Sequence, residues 1–399
     1  MTGTLFLAHR LPFPPDRGDK IRSHHVLKAL AAMGPVHVGT FAESTTDLAN
    51  VVELEGLVAS HCVPLRDKPL VQAGIEALLR REPVSLSAFR HPRLSEWVSE
   101  VLANEAIDAI YVFSGQMGQY VPHSWQQRLV VDLVDVDSAK FDAYGEDKSW
   151  PMGWVNRREG RLLRAEEARL AALADHTLLI SAAEADLLRS RLPGGSPAHV
   201  GVLGNGIDAA MFNPANVRAH RKLGVGPHIV FTGQMDYPPN VAAALRGIEQ
   251  ILPLVRRHHP QAQFHAVGRA PAPELLDHDG RNGARIWGEV PDLRPFLAAA
   301  QVVLVPLDLA RGVQNKVLEA MAMARPVVLT SPAATGIEAT DGEHFLIRDT
   351  DEALASAVLG LLAEPEQGAT IGVQARKFVL ERMSWPAMLA PLPGLMGHG

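Results

Sequence analysis

The chain has 399 residues, of which 47% are hydrophobic and 21% charged, and its formal net charge is −6. This length predicts two domains, because one hydrophobic core rarely serves more than about 250–300 residues. The composition excludes a disordered or fibrous chain, and the acidic balance argues against general nucleic-acid binding. Cys62 is the single cysteine, so a disulfide framework is excluded and a reducing compartment fits.

Short apolar runs alternate with helical segments through the first half of the chain. The candidate strands there are Thr4–Ala8, Val36–Ala42, Asp108–Phe113, Leu129–Val134, Thr177–Ser181 and His199–Leu203, and the clearest candidate helices are Arg22–Met33 and Trp154–Ala174. This alternation predicts a parallel sheet flanked by helices. The first apolar run is too short for a signal sequence or a membrane span. We therefore expect a cytoplasmic protein, with peripheral attachment to the inner face of a membrane left open.

The alternation restarts after Asn205-Gly206-Ile207-Asp208, a run of turn-forming residues. The candidate strands of the second half are His228–Gly233, Gln263–Gly268, Ala284–Gly288, Val302–Leu307 and Pro326–Thr330, and its candidate helices are Asn240–His258, Gly312–Ala324 and Ala353–Ala363. The predicted fold class is therefore α/β, with two tandem Rossmann-like domains. We predict that they span residues 1–208 and 209–375, and that residues 376–399 form a helix and tail packing back on the first domain.

One strand–helix junction of the second half has the residues that a diphosphate group needs. Gly312 follows the strand Val302–Leu307 and opens a helix, whose free N–H groups favour an anion. Lys316 lies near the first turn of that helix, and Glu319 shares a helix face with Lys316 and Asn315. A carboxylate at that depth suits two vicinal hydroxyls of a ribose. The alternative is an ordinary amphipathic helix with a surface ion pair between Lys316 and Glu319.

The segment from Arg311 to Val328 resembles the signature of family-4 glycosyltransferases. That family has the GT-B fold, two Rossmann-like domains with a cleft between them, and binds the acceptor on the N-terminal domain and the nucleotide sugar on the C-terminal domain. Its signature has two glutamates before an Ala-Met-Ala sequence. Glu319 matches the second, which the family uses on the nucleotide ribose. The first would fall at Arg311, a departure that indicates a subfamily using Arg311 or Lys316 on the diphosphate.

The resemblance covers nearly the whole chain. Phe231–Asn240 looks like the first strand and loop of the donor-binding domain, and Val267-Gly268 and Trp287–Val290 look like the next strand ends, where the family holds the base. Trp287 has an equally good alternative as a half-buried core aromatic residue. The donor-binding residues that the resemblance implies are Gly233, Gln234, Asn240, Gly268, Glu289, Arg311, Gly312, Val313, Asn315, Lys316 and Glu319, of which Lys316 and Glu319 are also candidate catalytic residues.

The loop His9–Ser23 joins the first strand to the first helix and is longer than the roughly 2–6 residues usual for such a loop. Gly18 would let the backbone approach a ligand closely, and Lys20 and Arg22, with Asp19 beside them, would meet a phosphate. The family has a glycine-rich loop here that faces the cleft. The longer run resembles sugar transferases associated with exopolysaccharide and exosortase loci. The alternative is a proline-stiffened surface turn with solvated basic side chains.

Asp135 and Asp137 follow the strand Leu129–Val134, and ligands of open α/β sheets bind at the carboxyl ends of strands. As candidate catalytic residues, they would orient or deprotonate an acceptor hydroxyl. Many members of the family have His-Asp here, whereas this chain has valine before Asp135. The alternative for Asp137 is a cap on the next helix. Ser114 follows another strand and is a further acceptor candidate.

The sequence has no His-x-x-x-His or Cys-x-x-Cys spacing, so we predict no metal site, and no cofactor beyond a nucleotide-sugar co-substrate. The resemblance implies transfer of a sugar from a nucleoside diphosphate sugar to a sugar or lipid-linked acceptor, with retention, in exopolysaccharide or glycolipid biosynthesis. The alternatives are a GT-B nucleotide-sugar epimerase and a non-catalytic two-domain ligand-binding protein. The arginines of 157–164 predict a solvated helix face, with contact to anionic lipid as the alternative.

Overall fold

The structure, a computed structural model, describes residues 2–147, 150–194, 199–310 and 312–398. The chain divides into two compact units: unit 1 is Met1–Asn205 with Met388–Gly399, and unit 2 is Gly206–Ala387. Unit 2 thus continues well past residue 375, the predicted end of the second domain. Backbone hydrogen bonds hold this later segment to the start of unit 2: Ile207 N donates to Met383 O at 2.8 Å, and Trp385 N donates to Ile207 O at 3.3 Å.

The described part of unit 1 contains a seven-stranded parallel sheet. Its strands are β1 (Gly3–Ala8), β2 (Val36–Gly39), β3 (Ser60–Cys62), β4 (Ile107–Phe113), β5 (Arg128–Val134), β6 (His176–Leu179) and β7 (Val200–Val202). The spatial order is β3-β2-β1-β4-β5-β6-β7, and the pairs are parallel. β1 is buried along its whole length, as expected for a parallel strand covered on both faces.

Helices connect these strands. In chain order they are α1 (Gly18–Met33), α2 (Thr45–Ala49), α3 (Val51–Glu55), α4 (Leu70–Arg80), α5 (Val84–Ala88), α6 (Pro92–Asn104), α7 (Asp137–Asp147), α8 (Met152–Leu173) and α9 (Ala182–Arg191), with a 3₁₀ turn at Gly115–Tyr120. The first helix therefore begins before the predicted start at Arg22. Among the described residues, no helix combines the length and the apolar character that crossing a bilayer requires.

The described part of unit 2 contains a six-stranded parallel sheet. Its strands are β8 (His228–Thr232), β9 (Gln263–Val267), β10 (Ala284–Ile286), β11 (Val302–Val305), β12 (Val327–Leu329) and β13 (Leu346–Ile347), in the order β10-β9-β8-β11-β12-β13. The helices from here to the C-terminus of the chain are α10 (Pro238–Arg246), α11 (Leu252–Arg256), α12 (Pro273–Leu276), α13 (Arg294–Ala299), α14 (Asn315–Ala322), α15 (Asp351–Ala363), α16 (Pro365–Phe378), α17 (Trp385–Met388) and α18 (Leu392–Leu395).

The predicted fold class is confirmed, since two parallel-sheet α/β units follow one another along the chain. The differences are local. The predicted helix Asn240–His258 is α10 and α11 with a π-helical turn, Gly247–Ile251, between them. The strands β3 and β13 were not predicted; they are only three and two residues long and lie at sheet edges. Such short runs have no readable period.

Candidate functional site

The loops after β8 and β9 of unit 2 are joined through their backbones. Gly233 N donates to Val267 O at 3.1 Å, and Gly268 N donates to Gly288 O at 3.0 Å. At Gly268 the φ angle is +155°, and a Cβ there would lie 1.6 Å from Gly233 O. Only glycine allows this approach. The structure thus brings the predicted residues Gly233 and Gly268 together at the carboxyl ends of two neighbouring strands.

Lys316, in the first turn of α14, reaches the same place. Its Nζ donates to Asn240 Oδ1 and lies 4.6 Å from the centroid of the Phe231 ring. A Cβ added to Gly233 would lie 3.0 Å from this Nζ, so the backbone of Gly233 is directly beside the ammonium group. Asn240 Nδ2 donates to Gln234 O at 2.9 Å, which turns the amide oxygen towards Lys316. Gly233, Gln234, Asn240 and Lys316 therefore form one cluster.

No carboxylate of the described residues pairs with Lys316, so the predicted alternative of a surface ion pair with Glu319 is wrong. Burial lowers the pKa of Lys316 to about 8, against the opposing effect of nearby Glu319. Burial likewise raises the pKa of Glu319 to about 7, against the opposing effect of Lys316. Lys316 and Glu319 are thus neighbouring, largely buried groups. The Glu319 carboxylate has no hydrogen-bond donor among the described residues.

The helix that carries them begins at Asn315, later than the predicted start at Gly312. Gly312 is exposed and lies in the loop before the helix, with φ +69°, a left-handed conformation that glycine favours. Gln314 precedes the helix, and its side chain donates to Gly312 O at 3.1 Å instead of capping. In the described chain the N–H groups of Asn315 and Lys316 have no acceptor, which leaves them available to an anion. Arg311 lies outside the described residues.

The other predicted donor residues are more peripheral. Val313 is exposed and lies beside Gly336, where an added Cβ would be 2.9 Å from Val313 Cγ2. Glu289 follows the edge strand β10 and is exposed. Trp287 is a core-type aromatic residue, since its Nε1 donates to His265 Nδ1 at 3.1 Å and its ring packs edge-on against Phe296. These contacts fit the alternative of a half-buried core aromatic residue.

Arg269 is a basic residue of this site that was not predicted from the sequence. Arg269 directly follows Gly268, and its NH2 donates to Gln234 Oε1 at 3.0 Å. It thus supplies the positive charge that the β8 loop lacks. Its position directly after the predicted strand Gln263–Gly268 could have identified Arg269 as a candidate.

In unit 1, the β1–α1 loop is a network of ion pairs. Asp19 contacts His9 Nε2 at 3.3 Å and Arg10. Burial alone would raise the pKa of Asp19, but hydrogen bonds from His9 and Arg10 hold it well below its usual range. Gly18 is the exposed first residue of α1, and a Cβ there would meet nothing within 4 Å. The protein itself therefore does not require glycine at position 18.

The prediction that Lys20 and Arg22 meet a phosphate is wrong. Their exposed fractions are 2% and 1%. Lys20 Nζ donates to Asp47 Oδ1 at 3.1 Å, and Arg22 Nε donates to Asp132 Oδ2 at 2.9 Å. A second Arg22 nitrogen, NH1, donates to Asn205 Oδ1 at 3.0 Å. Both cations are neutralised inside unit 1 because a buried charge must be paired to be tolerated.

Asp135 and Asp137 lie together where β5 gives way to α7. Lys140 Nζ contacts Asp135 Oδ2 at 2.8 Å and Asp137 Oδ1 at 3.2 Å. Both carboxylates are partly exposed, and Val134 before them has φ +71°, an unusual conformation for a β-branched residue. Ser114 ends the neighbouring strand β4, also with a positive φ of +77°, and is buried. Strained backbone at two adjacent strand ends is typical of a ligand-binding edge.

The comparisons with known proteins match this architecture. Residues 226–364 match the family described as Glycosyl transferases group 1. Alpha-maltose-1-phosphate synthase of Mycolicibacterium smegmatis is 27% identical over 241 residues, which are 53% of this chain and only 60% of that protein. D-inositol 3-phosphate glycosyltransferase of Corynebacterium glutamicum is 24% identical over 343 residues, 80% of this chain and 78% of that protein.

Among solved structures, Anabaena HepE in complex with UDP aligns over 100% of both chains with a TM-score of 0.62 and 16% identity. At this identity the likeness shows the fold alone. The two parallel-sheet α/β units are consistent with GT-B glycosyltransferase neighbours, and the match to the group 1 family supports a glycosyltransferase. The matched segment runs from β8 to α15 and contains Gly233, Gly268, Lys316 and Glu319.

Proposed function

We propose that this protein transfers a sugar from a nucleoside diphosphate sugar to an acceptor hydroxyl, and that unit 2 binds the donor. The observation that carries the proposal is the Lys316 ammonium, which is held at the Gly233 backbone by a neutral amide instead of a carboxylate. Its charge is therefore available to a ligand. A diphosphate is the group that such a lysine and adjacent free helix N–H groups would bind.

Each part of the donor has a proposed partner. The diphosphate would contact Lys316 and the N–H groups of Asn315 and Lys316 at the start of α14. The ribose hydroxyls would donate to Glu319, whose carboxylate accepts no hydrogen bond in the described chain. Arg269 would add positive charge from the β9 loop. HepE is a UDP complex, so we propose UDP-sugars as the first donors.

In the reaction, the bond between the anomeric carbon and the diphosphate oxygen breaks, and its electron pair leaves with the diphosphate. The acceptor oxygen forms the new bond to the anomeric carbon, and its proton passes to the departing diphosphate or to a carboxylate such as Asp135. Lys316 and the start of α14 would stabilise the charge that develops on the leaving group. This role is the one a metal ion has in other transferases, so we propose metal-independent hexosyl transfer.

We further propose retention of configuration, with attack and departure on the same face of an oxocarbenium-like sugar. We propose that unit 1 binds the acceptor, with Asp135 and Asp137 as its polar contacts. Exopolysaccharide or glycolipid synthesis is the proposed setting, which rests on the resemblance of the β1–α1 loop to transferases of such loci. The names of the two curated relatives add sugar phosphates and inositol phosphate to the acceptors to be tried.

The test is thermal unfolding with UDP-, GDP- and ADP-sugars. A donor at about a hundredfold excess over its Kd stabilises the folded state by about 2.7 kcal/mol and raises the midpoint. We expect one nucleotide class to do so. Lys316→Ala and Glu319→Gln should remove most of this shift, whereas the matched control Lys377→Ala, an exposed lysine of the same unit, should keep it.

Turnover then separates the candidate activities. Transfer to an acceptor, with the anomer identified by NMR, supports the transferase. A new nucleotide sugar formed without any acceptor would instead indicate an epimerase, and binding without turnover would indicate a ligand-binding protein. A shift that survives both substitutions would mean that the donor binds elsewhere.

A further inference from the structure

The helix α4 of unit 1 turns its large apolar side chains to the outside. Val71 is 76% exposed and Leu79 is 81% exposed, with Ile75 on the same side of the helix. The residues that α4 buries are Ala73 and Ala77. An amphipathic helix of a globular protein normally packs its large apolar face on the core. Here small residues face the core, and the large apolar face has no partner in the described unit.

A second group of exposed apolar residues lies at the start of α8, a helix that contacts α4 through Arg158. Trp150 is 82% exposed, and Met152 and Trp154 at the start of α8 are exposed too. Arg158 NH2 donates to Ala77 O at 3.0 Å, which anchors α8 to the last turns of α4. Trp154 lies one helical turn before Arg158, so it is close to this anchor. The eight residues of the α4–α8 surface are Leu70, Val71, Ile75, Leu78, Leu79, Trp150, Met152 and Trp154.

Exposed arginines flank the α4–α8 surface. The four cations in the wall of a cavity of about 340 Å³ beside α4 add little free charge, because each is paired with Glu43, Glu76 or Glu82. The four cations are Arg66, Lys68, Arg80 and Arg90. Three further arginines are exposed near the same helices, and none of them has a carboxylate partner among the described residues. These arginines are Arg81, Arg157 and Arg161.

We propose that the α4–α8 surface docks on an anionic lipid bilayer, with α4 lying parallel to the membrane plane. Leucine, valine and isoleucine would enter the boundary between headgroups and acyl chains, tryptophan would sit at headgroup level, and the arginines would meet lipid phosphates. The whole chain has a formal net charge of −6, so a local basic patch also orients the molecule towards an anionic surface. This inference does not depend on the donor site.

Charge selects the bilayer over a second copy of the chain. In a two-fold symmetric dimer the same patch would face itself, and its arginines would repel one another. An anionic bilayer complements both the apolar residues and the arginines.

The experiment is co-sedimentation of the full chain with vesicles of phosphatidylcholine alone and of phosphatidylcholine mixed with phosphatidylglycerol. We expect the protein to sediment with the anionic vesicles, less at high salt. The triple variant Val71→Ser/Ile75→Ser/Leu79→Ser should bind at least about a hundredfold more weakly, because each lost apolar side chain is worth roughly tenfold. Arg81→Ala/Arg157→Ala/Arg161→Ala should lose about fivefold per arginine.

The matched control is Val225→Ser/Val373→Ser, which removes two exposed valines of unit 2, Val225 being 78% exposed. It should bind vesicles like the wild type. Tryptophan emission should shift to the blue with anionic vesicles and lose that shift in Trp150→Phe/Trp154→Phe. An unchanged melting midpoint, and an unchanged donor-induced shift where a donor is found, show that the serine variant is folded.

Three results would overturn the proposal. The first is that the wild type remains in the supernatant with both kinds of vesicle. The second is that the serine variant binds vesicles as tightly as the wild type. The third is that the serine variant has an altered oligomeric state in sedimentation velocity and unaltered vesicle binding, which would make this surface an interface between copies of the chain.

Discussion

Two of the strand–helix junctions that carry lysine or arginine differ in what surrounds the charge. In the β1–α1 junction of unit 1, Lys20 is paired with Asp47 and Arg22 with Asp132. In the β11–α14 junction of unit 2, Lys316 bonds the neutral amide of Asn240. A basic residue in a loop predicts a phosphate site only where the fold leaves its charge unneutralised. The following four experiments test this contrast.

The largest effect is expected for the buried pair of unit 1. Asp132→Ala leaves the Arg22 guanidinium buried without its carboxylate, which should lower the free energy of unfolding by about 3–5 kcal/mol. Urea unfolding measures it. Asp137→Ala, which breaks a partly exposed pair, should cost less than about 1 kcal/mol. Equal losses in the two variants would show that Arg22 is not held as the structure indicates.

Lys316→Ala should act on activity and not on stability. Removing a charge that stabilises the leaving group should lower kcat by about 10²–10³-fold, in steady-state assays with the donor found above. Lys20→Ala should instead lower the free energy of unfolding by about 1–3 kcal/mol, because Asp47 loses its partner. Its kcat should change little. If Lys20→Ala lowered kcat as strongly as Lys316→Ala, the contrast between the two junctions would fail.

Glu319 should make stability depend on pH. Its folded-state pKa of about 7 lies above the ordinary 4.5, so between these values the folded protein binds more protons than the unfolded chain. Wild-type stability should therefore fall as the pH rises through this window. Glu319→Gln lacks this carboxyl, so its stability relative to wild type should increase by up to about 3 kcal/mol over the window. Denaturant titrations at several pH values test this, and a constant difference would contradict it.

The smallest effect is expected for Lys140, which contacts the carboxylates of Asp135 and Asp137. Lys140→Ala should change the free energy of unfolding by about 0.5 kcal/mol or less, because partly exposed pairs contribute little. If these carboxylates bind the acceptor, the acceptor KM should change while the donor-induced melting shift stays. A loss of stability near that of Asp132→Ala would instead make this cluster structural.

Much of the architecture was readable from the sequence. Apolar runs such as Thr4–Ala8 and Gln263–Gly268 predicted strands within a residue or two of β1 and β9, because a parallel strand buried on both faces is apolar throughout. Short edge strands and the true start of α14 were missed. Their bounds depend on hydrogen bonds to other elements, which periodicity does not contain.

For the candidate site, the residue types that follow each strand are visible in the sequence, and they made Gly233, Gly268 and Lys316 candidates. Which charges are available to a ligand depends on the folded structure. Arg22 and Lys316 look alike as sequence, but a carboxylate 110 positions along the chain neutralises Arg22, whereas an asparagine meets Lys316. The α4 helix is a second example, because its periodicity predicts an apolar face but does not say whether that face is buried or exposed. The pairing of Arg22 and the exposure of α4 both depend on long-range packing, which brings together residues far apart in the sequence.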